Sequence, residues 1–138
     1  MGLLFARKIL RREIKQAQDF LEAEVFVKKA YDTAADKRII VLDAHYPWTS
    51  VLVKFSEPLY VVGPNPQSSD WKVQAVPVRL MTYENRKKLP EAWAGKRDAE
   101  LASISGVPDA VFCHNGRFLA VAKSKAGALK MAEIAVDL

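Results

Sequence analysis

The first quarter of the chain has apolar positions at helical spacing. Between residues 3 and 34, apolar side chains return mostly every three to five positions, and the stretch contains no proline. This spacing predicts a long N-terminal helix. Because a helix of about thirty residues is long for a small domain, a break near residues 19–24 is the alternative.

The middle of the chain has the pattern of strands. A β-branched run at residues 37–43 predicts a strand buried on both faces. Residues 58–62 predict another strand, after residues 49–55, which fit a short helix or a strand equally well. Residues 71–76 begin by alternating apolar with polar side chains, which predicts a half-exposed antiparallel strand. Pro77 either ends this strand or places it at a sheet edge.

A hairpin and a helix are predicted near the C-terminus. Apolar runs at residues 110–113 and 118–122 flank Asn115 and Gly116. This dipeptide is the strongest local signal for a type I′ turn, because both turn positions need a positive φ. Ser124 then stands at the N-cap position of a helix whose apolar residues recur at helical spacing.

The predicted elements add up to one α+β domain over residues 1–138. A short helix at residues 98–105, with Asp98 as N-cap and a stop at Gly106 and Pro108, completes the set. The strands follow one another mainly in hairpin order, and no repeat or linker divides the chain. We therefore expect a mostly antiparallel sheet of about five strands, with a long N-terminal helix and a C-terminal helix.

The charge balance is basic. Lysine and arginine number 21 against 16 acidic residues, which gives a net charge of +5. This excess is modest support for a polyanionic partner, and a well-solvated surface is the alternative. Part of the excess crowds the first half of the predicted N-terminal helix, at Arg7, Lys8, Arg11, Arg12 and Lys15.

Membrane and secretory classes are not supported by the sequence. No apolar run approaches the ~20 residues that span a bilayer, and the N-terminus lacks the profile of a signal peptide. The single cysteine, Cys113, excludes an internal disulfide and fits a reducing compartment. We therefore expect an intracellular, cytoplasmic protein without membrane contact.

Two groups of side chains suggest an anion site. His114 and Arg117 flank the predicted turn, and Lys123 and Lys125 flank the predicted N-cap. Imidazole, guanidinium, ammonium and free helix N–H groups suit a phosphate. For His114, a role in stabilising the turn is the alternative.

A second basic segment contains aromatic residues. Residues 81–97 contain two aromatic residues, Tyr83 and Trp93. The same segment contains the basic residues Arg86, Lys87, Lys88, Lys96 and Arg97. Interleaved aromatic and basic residues suit a single-stranded nucleic acid, with bases stacked and phosphates paired. Alternatively, Trp93 only anchors the loop to the core.

The sequence contains no recognisable catalytic centre. It lacks a paired-carboxylate cluster, zinc-type cysteine or histidine pairs, a nucleophile elbow and a phosphate-binding glycine loop. Asp43 and His45 are close in sequence but have no third ligand nearby, so we predict no metal site. Cys113 and His114 point to opposite faces of a strand and do not form a catalytic pair. We expect an anion-binding module that has no catalytic residue of its own.

Several blocks of the sequence match a known family. The main blocks are WKVQAVP at residues 71–77, ENRKKLPEAWAGKRD at 84–98, GVPDAVFCHNGRF at 106–118 and AGALKMA at 126–132. Leu42, Asp43, Pro47 and Trp48 also fit. Together these residues resemble the C-terminal half of the melanocyte-proliferating-gene proteins.

The resemblance implies an activity that this chain does not carry by itself. The family is described as metal-dependent protein hydrolases, related to DHH phosphoesterases, with 3′–5′ RNA exonuclease activity. Its His- and Asp-rich metal motifs, which would bind manganese or magnesium, are absent here and would belong to a missing N-terminal half. That half, or its gene product, is an expected partner. The turn at residues 114–117 looks like the glycine- and histidine-containing turn of related phosphoesterases, although it lacks their double glycine.

We therefore predict a domain that binds RNA or a nucleotide. The alternative is a protein-interaction module, in which the sheet and first helix dock a partner or form a homodimer. In the leading hypothesis Trp93 stacks a base, and the phosphates are held by Arg86, Lys87, Arg97, His114, Arg117 and Lys123.

Overall fold

A five-stranded sheet with helices on both faces organises the chain. The computed structural model describes residues 21–138. Its elements are α1 over residues 21–33, β1 Ile39–Val41, α2 Thr49–Leu52, β2 Tyr60–Pro64, β3 Trp71–Ala75, a 3₁₀ turn Glu91–Trp93, α3 Asp98–Ser105, β4 Ala110–Cys113, β5 Leu119–Ala122 and α4 Lys125–Asp137. These elements confirm the predicted α+β class. The first part of the predicted N-terminal helix lies outside the described residues.

The sheet is mixed but mostly antiparallel, as predicted. Its strand order is β1-β2-β3-β5-β4, with β1 parallel to β2 and each other neighbouring pair antiparallel. Because β3 is the central strand, the option that Pro77 marks a sheet edge is wrong. Val76 still donates its N–H to the Leu59 carbonyl at 2.9 Å, and Pro77, which has no N–H to donate, follows the strand.

Alternate strand residues contribute to two cores on opposite faces of the sheet. The first core packs strand residues such as Val73 and Ala120 against α4 and α3. The second packs Val61 against α1 and α2, where residues 49–55 are helical at Thr49–Leu52. β1 contributes Ile39 to the first core and Ile40 to the second, which confirms that this strand is buried on both faces.

Two acids in the first core make stability sensitive to alkaline pH. Burial raises the pKa of Tyr60 to about 12 and that of Cys113 to about 11, and the charge of Arg117 opposes both shifts. In the unfolded chain these groups lose their protons nearer their ordinary pKa values of 10.0 and 9.0. The contribution of these two groups to the free energy of unfolding is therefore full below the unfolded pKa values and is lost as the pH rises through the folded ones.

We expect the urea midpoint of unfolding to fall steadily as the pH rises above about 9. The midpoint should be measured by circular dichroism across this range. The Cys113→Ala variant removes one of the two acids, so its midpoint should fall less steeply with pH. A wild-type midpoint that stays constant across the range would contradict the prediction.

The predicted hairpin is present, but its turn is not of type I′. Neither Asn115 nor Gly116 has a positive φ; instead Arg117 does, at 62°. Arg117 donates its N–H to the His114 carbonyl at 2.9 Å, which closes the turn. A Cβ on Gly95 would collide with the Asn115 amide. Asn115 is therefore packed against a neighbouring segment, a long-range contact that the local dipeptide signal does not contain.

One predicted helix cap is confirmed and the other is wrong. The Ser124 Oγ accepts the N–H of Gly127 at 3.0 Å and caps α4. Helix α3 has Arg97 as its N-cap residue without a side-chain hydrogen bond, so Asp98 is the first helical residue rather than the cap. Gly106, with φ 78°, ends α3 as predicted.

Candidate nucleic-acid interface

Three of the predicted phosphate ligands, Arg86, Lys87 and Arg117, donate hydrogen bonds to backbone carbonyls of the protein itself. Arg86 donates to the carbonyls of Pro58 and Val53 at 2.9 and 3.2 Å. Lys87 donates to the Val136 carbonyl at 2.8 Å, near the end of α4. These bonds tie the basic segment to distant parts of the chain and give both cations a structural role.

Arg117 is held in the same way. Its Nε donates to the Leu89 carbonyl at 2.7 Å. Arg117 and Lys87 nevertheless lie together, since both line a cleft of about 420 Å³ beside the end of α4, with Lys88 as a third cation.

Trp93 belongs to the core. Its side chain is 2% exposed and packs in the first core. This position corresponds to the alternative role, in which Trp93 anchors the basic segment. In this conformation no ring face is available to a base.

The N-terminus of α4 already holds a carboxylate. Both the backbone N–H and the hydroxyl of Ser124 donate to Asp109 Oδ2. A Cβ on Gly127 would collide with the Asp109 carboxylate, so the missing side chain makes room for it. Asp109 thus occupies the place at which a phosphate would bind this helix end.

The two halves of the predicted anion site lie at opposite ends of β5. His114 and Arg117 are at the turn, whereas Lys123 and Lys125 follow the strand. β5 has four residues, which corresponds to roughly 13 Å at the usual rise per residue. The structure therefore does not bring the two pairs together, and Lys123 is exposed beside the start of α4.

Arg97 is placed beside β4 by an extra stretch of pairing. Gly95 donates its N–H to the Cys113 carbonyl at 3.0 Å, and Cys113 donates to the Lys96 carbonyl at 3.1 Å. Arg97 and Phe112 form the next bridge. As a result the Arg97 guanidinium carbon lies 4.7 Å from the centroid of the Phe112 ring, a cation–π contact.

Phe112 begins a row of three rings that continues through His114 to Phe118. The ring centroids of Phe112 and His114 are 6.3 Å apart, and those of His114 and Phe118 are 4.5 Å apart. Phe118 is 41% exposed. The His114 Nδ1 accepts the Gly116 N–H at 2.8 Å, so the neutral ring carries its hydrogen on Nε2. His114 thus stabilises the turn, and its Nε2–H can still donate.

These rings lie on the face of β3, β5 and β4 that is opposite the first core, beyond the part of that face that the second core covers. Register places Lys72, Val121 and Phe112 side by side across β3, β5 and β4. Gln74 and Leu119 form the next row, and His114 continues it by donating its N–H to the Leu119 carbonyl. We call this surface, with Arg97 and Phe118, the open sheet face. Its two cations, Lys72 and Arg97, lie at opposite ends of one row.

Sequence reasoning found Arg97 and His114 but missed their neighbours. Lys72, Gln74, Phe112 and Phe118 were not singled out, because each is unremarkable in its local pattern. A signal was present in the sequence, because polar Lys72 and Gln74 alternate with buried Val73 and Ala75. Only the strand order reveals that this polar side adjoins Phe112 and His114.

The described residues do not form a site for the divalent metal that the resemblance implies. Asp43 and His45 are exposed. Within residues 21–138, no group of three or more histidine, cysteine, aspartate or glutamate side chains could hold a metal ion.

Comparison with known proteins places this chain in a family. The family model MYG1_exonuc, described as an uncharacterised protein family (UPF0160), matches residues 2–136. The chain belongs to this family. The resemblance noted from the sequence is thereby confirmed. Among MYG1 proteins, that of Schizosaccharomyces pombe is 30% identical over 99% of this chain.

Other relatives extend the comparison. A MYG1 protein of Dictyostelium discoideum is 37% identical over 72% of the chain, and one of Bos taurus, named MYG1 exonuclease, is 31% identical over 95%. The chain spans less than half of these relatives' lengths, with 43% of the S. pombe, 32% of the D. discoideum and 39% of the B. taurus protein covered. No solved structure matches the chain. In the described part, no helix has the length and apolar character needed to cross a membrane.

Proposed function

We propose that this chain is the substrate-holding domain of an exonuclease of the MYG1 family and that its open sheet face binds single-stranded RNA. The observation that carries the proposal is the unbroken series of side-chain contacts from Arg97 through Phe112 and His114 to Phe118. The name of the bovine relative supports the nucleic-acid substrate.

The chemistry of this row suits unpaired bases rather than a duplex. Bases stack on aromatic rings and on guanidinium planes, and single-stranded RNA exposes both base faces for such contacts. Each base–aromatic stack contributes about 1–3 kcal/mol and requires no particular base. Lys72 and Arg97, at the two margins of the face, can each pair with a phosphate of the same RNA strand. The net charge of +5 adds a general attraction for the polyanion.

The proposal leaves the chemical step to another part of the protein. Because the chain covers only part of its relatives' length, the hydrolytic residues and a manganese or magnesium ion are assigned to the remainder of a full-length protein. The chain alone is expected to bind RNA without cleaving it.

The test is the binding of a short fluorescent single-stranded RNA, followed by anisotropy at low and high salt. The wild-type chain should bind, and binding should weaken as salt rises. Arg97→Ala and His114→Ala should each raise Kd by about fivefold to a hundredfold, since each removes a stacking surface. Lys130→Ala on α4 removes a matched charge, and His45→Ala removes the other histidine of the chain. Both controls should bind like the wild type.

Two results would overturn the proposal. The first is the absence of binding at low salt. The second is an unchanged affinity in both Arg97→Ala and His114→Ala, with thermal melts showing that the variants are folded.

A second candidate function is a dimerisation or protein-interaction module. It is favoured by two apolar side chains of α1, Leu21 and Val25, which are 60% and 65% exposed. The apolar residues of the predicted helix nearer the N-terminus, Phe5, Ile9 and Ile14, lie outside the described residues. Light scattering coupled to size exclusion separates the candidates, because a stable dimer lost in Leu21→Ser and Val25→Ser favours the interaction module.

A further inference from the structure

We propose that a cleft beside Phe118 binds one nucleobase and gives bound RNA a base preference. This inference rests on the proposed function, since it adds a specific position to the RNA surface described above. The cleft measures about 590 Å³, within the usual range of small-molecule sites. Its walls carry Trp48, Gln74, Tyr83, Asn85, Lys88 and Phe118. We call it the Tyr83 cleft.

Three parts of the fold form the Tyr83 cleft. The sheet supplies Gln74 and Phe118, the start of α2 supplies Trp48, and the loop after β3 supplies Tyr83. This loop is closed at its base, where Val78 donates its N–H to the Glu84 carbonyl and Arg86 donates to the Val76 carbonyl, each at 2.9 Å. These bonds fix the base of the loop beside the sheet.

The exposed aromatic ring of the loop is unusual. Tyr83 is 101% exposed, so its phenol is not used to pack the loop against the protein. Phe118, which also lines the cleft, is 41% exposed. Exposed rings that line one cleft provide flat apolar surfaces for a planar ligand.

The polar groups of the cleft match the edge of a nucleobase. Each side-chain amide of Gln74 and Asn85 offers a donor beside an acceptor. Among the hydrogen bonds between described residues, none uses either amide or the Lys88 ammonium group. A glutamine or asparagine amide can pair with two adjacent atoms of a base edge, and such a pair discriminates between bases by about 1–3 kcal/mol. Lys88 can neutralise the attached phosphate.

The cleft is continuous with the open sheet face. Gln74 and Phe118 belong to both, and the Phe118 ring lies 4.5 Å from that of His114. An RNA strand stacked along Arg97, Phe112 and His114 would therefore reach the cleft with its next base. On the open sheet face stacking accepts any base, whereas the amides of the cleft can distinguish among them. Affinity is thus assigned to the rings and guanidinium group, and base preference to the amides of Gln74 and Asn85.

The first experiment separates preference from affinity. The wild-type chain is titrated with four homopolymeric RNA oligonucleotides of equal length, and we expect at least one to bind about tenfold more tightly than another. Gln74→Leu removes the amide at similar size and should abolish this preference. Gln67→Leu, in the exposed loop before β3, is the matched control and should keep it. Tyr83→Ala should weaken the preferred oligonucleotide, whereas Met81→Ala in the same loop should not.

The outcomes distinguish this inference from the proposed function. If the oligonucleotides bind through Arg97 and His114 but with equal affinities, or if Gln74→Leu retains the wild-type preference, the base-binding cleft is wrong and the RNA surface stands. If no oligonucleotide binds, the proposed function fails and the cleft is judged by nucleoside monophosphates alone.

That second judgement uses nuclear magnetic resonance. Adding AMP, CMP, GMP or UMP should shift the side-chain amide signals of Gln74 and Asn85 in the wild type, with different amplitudes for different bases. Spectra that do not respond would overturn the cleft as a nucleotide site. Shifts of the same signals with protein concentration instead of nucleotide would also overturn it, because they would indicate self-association.

Discussion

Trp93→Ala is expected to lower the free energy of unfolding by about 3–5 kcal/mol. The indole is 2% exposed within the first core, beside residues of α3 and β4. Its removal loses the free energy gained by burying the indole and leaves a cavity that the neighbouring side chains fill only in part. The free energy of unfolding of natural domains is about 5–15 kcal/mol, so this single change removes a large share of it. Urea unfolding followed by circular dichroism measures the loss.

A second variant tests whether Trp93 contacts RNA. Trp93→Phe keeps an aromatic ring in the core and should remain folded. Because the ring faces the first core rather than the open sheet face, Trp93→Phe should bind RNA with the wild-type affinity. A folded Trp93→Phe protein that loses RNA binding, or a Trp93→Ala protein as stable as the wild type, would show that the ring works at the surface.

Gly127→Ala is expected to destabilise the protein by about 1–3 kcal/mol, although alanine is the better helix former. An exposed glycine inside a helix usually gains about 0.5–1 kcal/mol on replacement by alanine. Here the new Cβ would collide with the Asp109 carboxylate, which accepts two hydrogen bonds from Ser124. Either the carboxylate or the start of α4 has to move, and the bonds between them weaken.

The sign of this effect should reverse when Asp109 is removed. Asp109→Ala alone loses the bonds to Ser124 and should destabilise by about 1–3 kcal/mol. In that background the new methyl group has room, so Gly127→Ala should be neutral or stabilising. Thermal and urea unfolding of the wild type, both single variants and the double variant form a complete cycle. Equal destabilisation by Gly127→Ala in both backgrounds would show that the carboxylate is not the cause.

The position of Asp109 also affects where an anion can bind. Asp109 is the negative group that the N-terminus of α4 attracts. An RNA phosphate at this helix end would have to displace it, and Lys123 lies there without His114 or Arg117. The open sheet face needs no such displacement. This difference is the physical reason for placing the RNA along Arg97, Phe112 and His114.

The elements of the fold were largely predictable, but some of their details were not. Alternation and β-branched runs located the strands, and Ser124 and Gly106 marked helix ends, because these signals act within a few residues. The predicted type I′ turn was wrong because Asn115 packs against Gly95, which is distant in sequence. The alternative prediction of a sheet edge at Pro77 was wrong because β5, from far along the chain, pairs with β3.

The residues of the candidate site were also only partly predictable from the sequence. Residue chemistry alone pointed to Arg97 and His114, which the structure brings to one surface. It also pointed to Arg86, Lys87 and Arg117, and their cationic groups bond to carbonyls that are 28 to 49 positions away. No local pattern reveals such partners.

The sequence by itself determined the class of the domain, the order of its strands along the chain and the excess of positive charge. Only the tertiary structure decided which cations bind the backbone, that Asp109 occupies the start of α4, and that Phe112 and Phe118 flank His114. The physical reason is range. Backbone propensity and side-chain periodicity act between neighbours in sequence, whereas hydrogen-bond partners and ring stacking depend on which distant strands are paired.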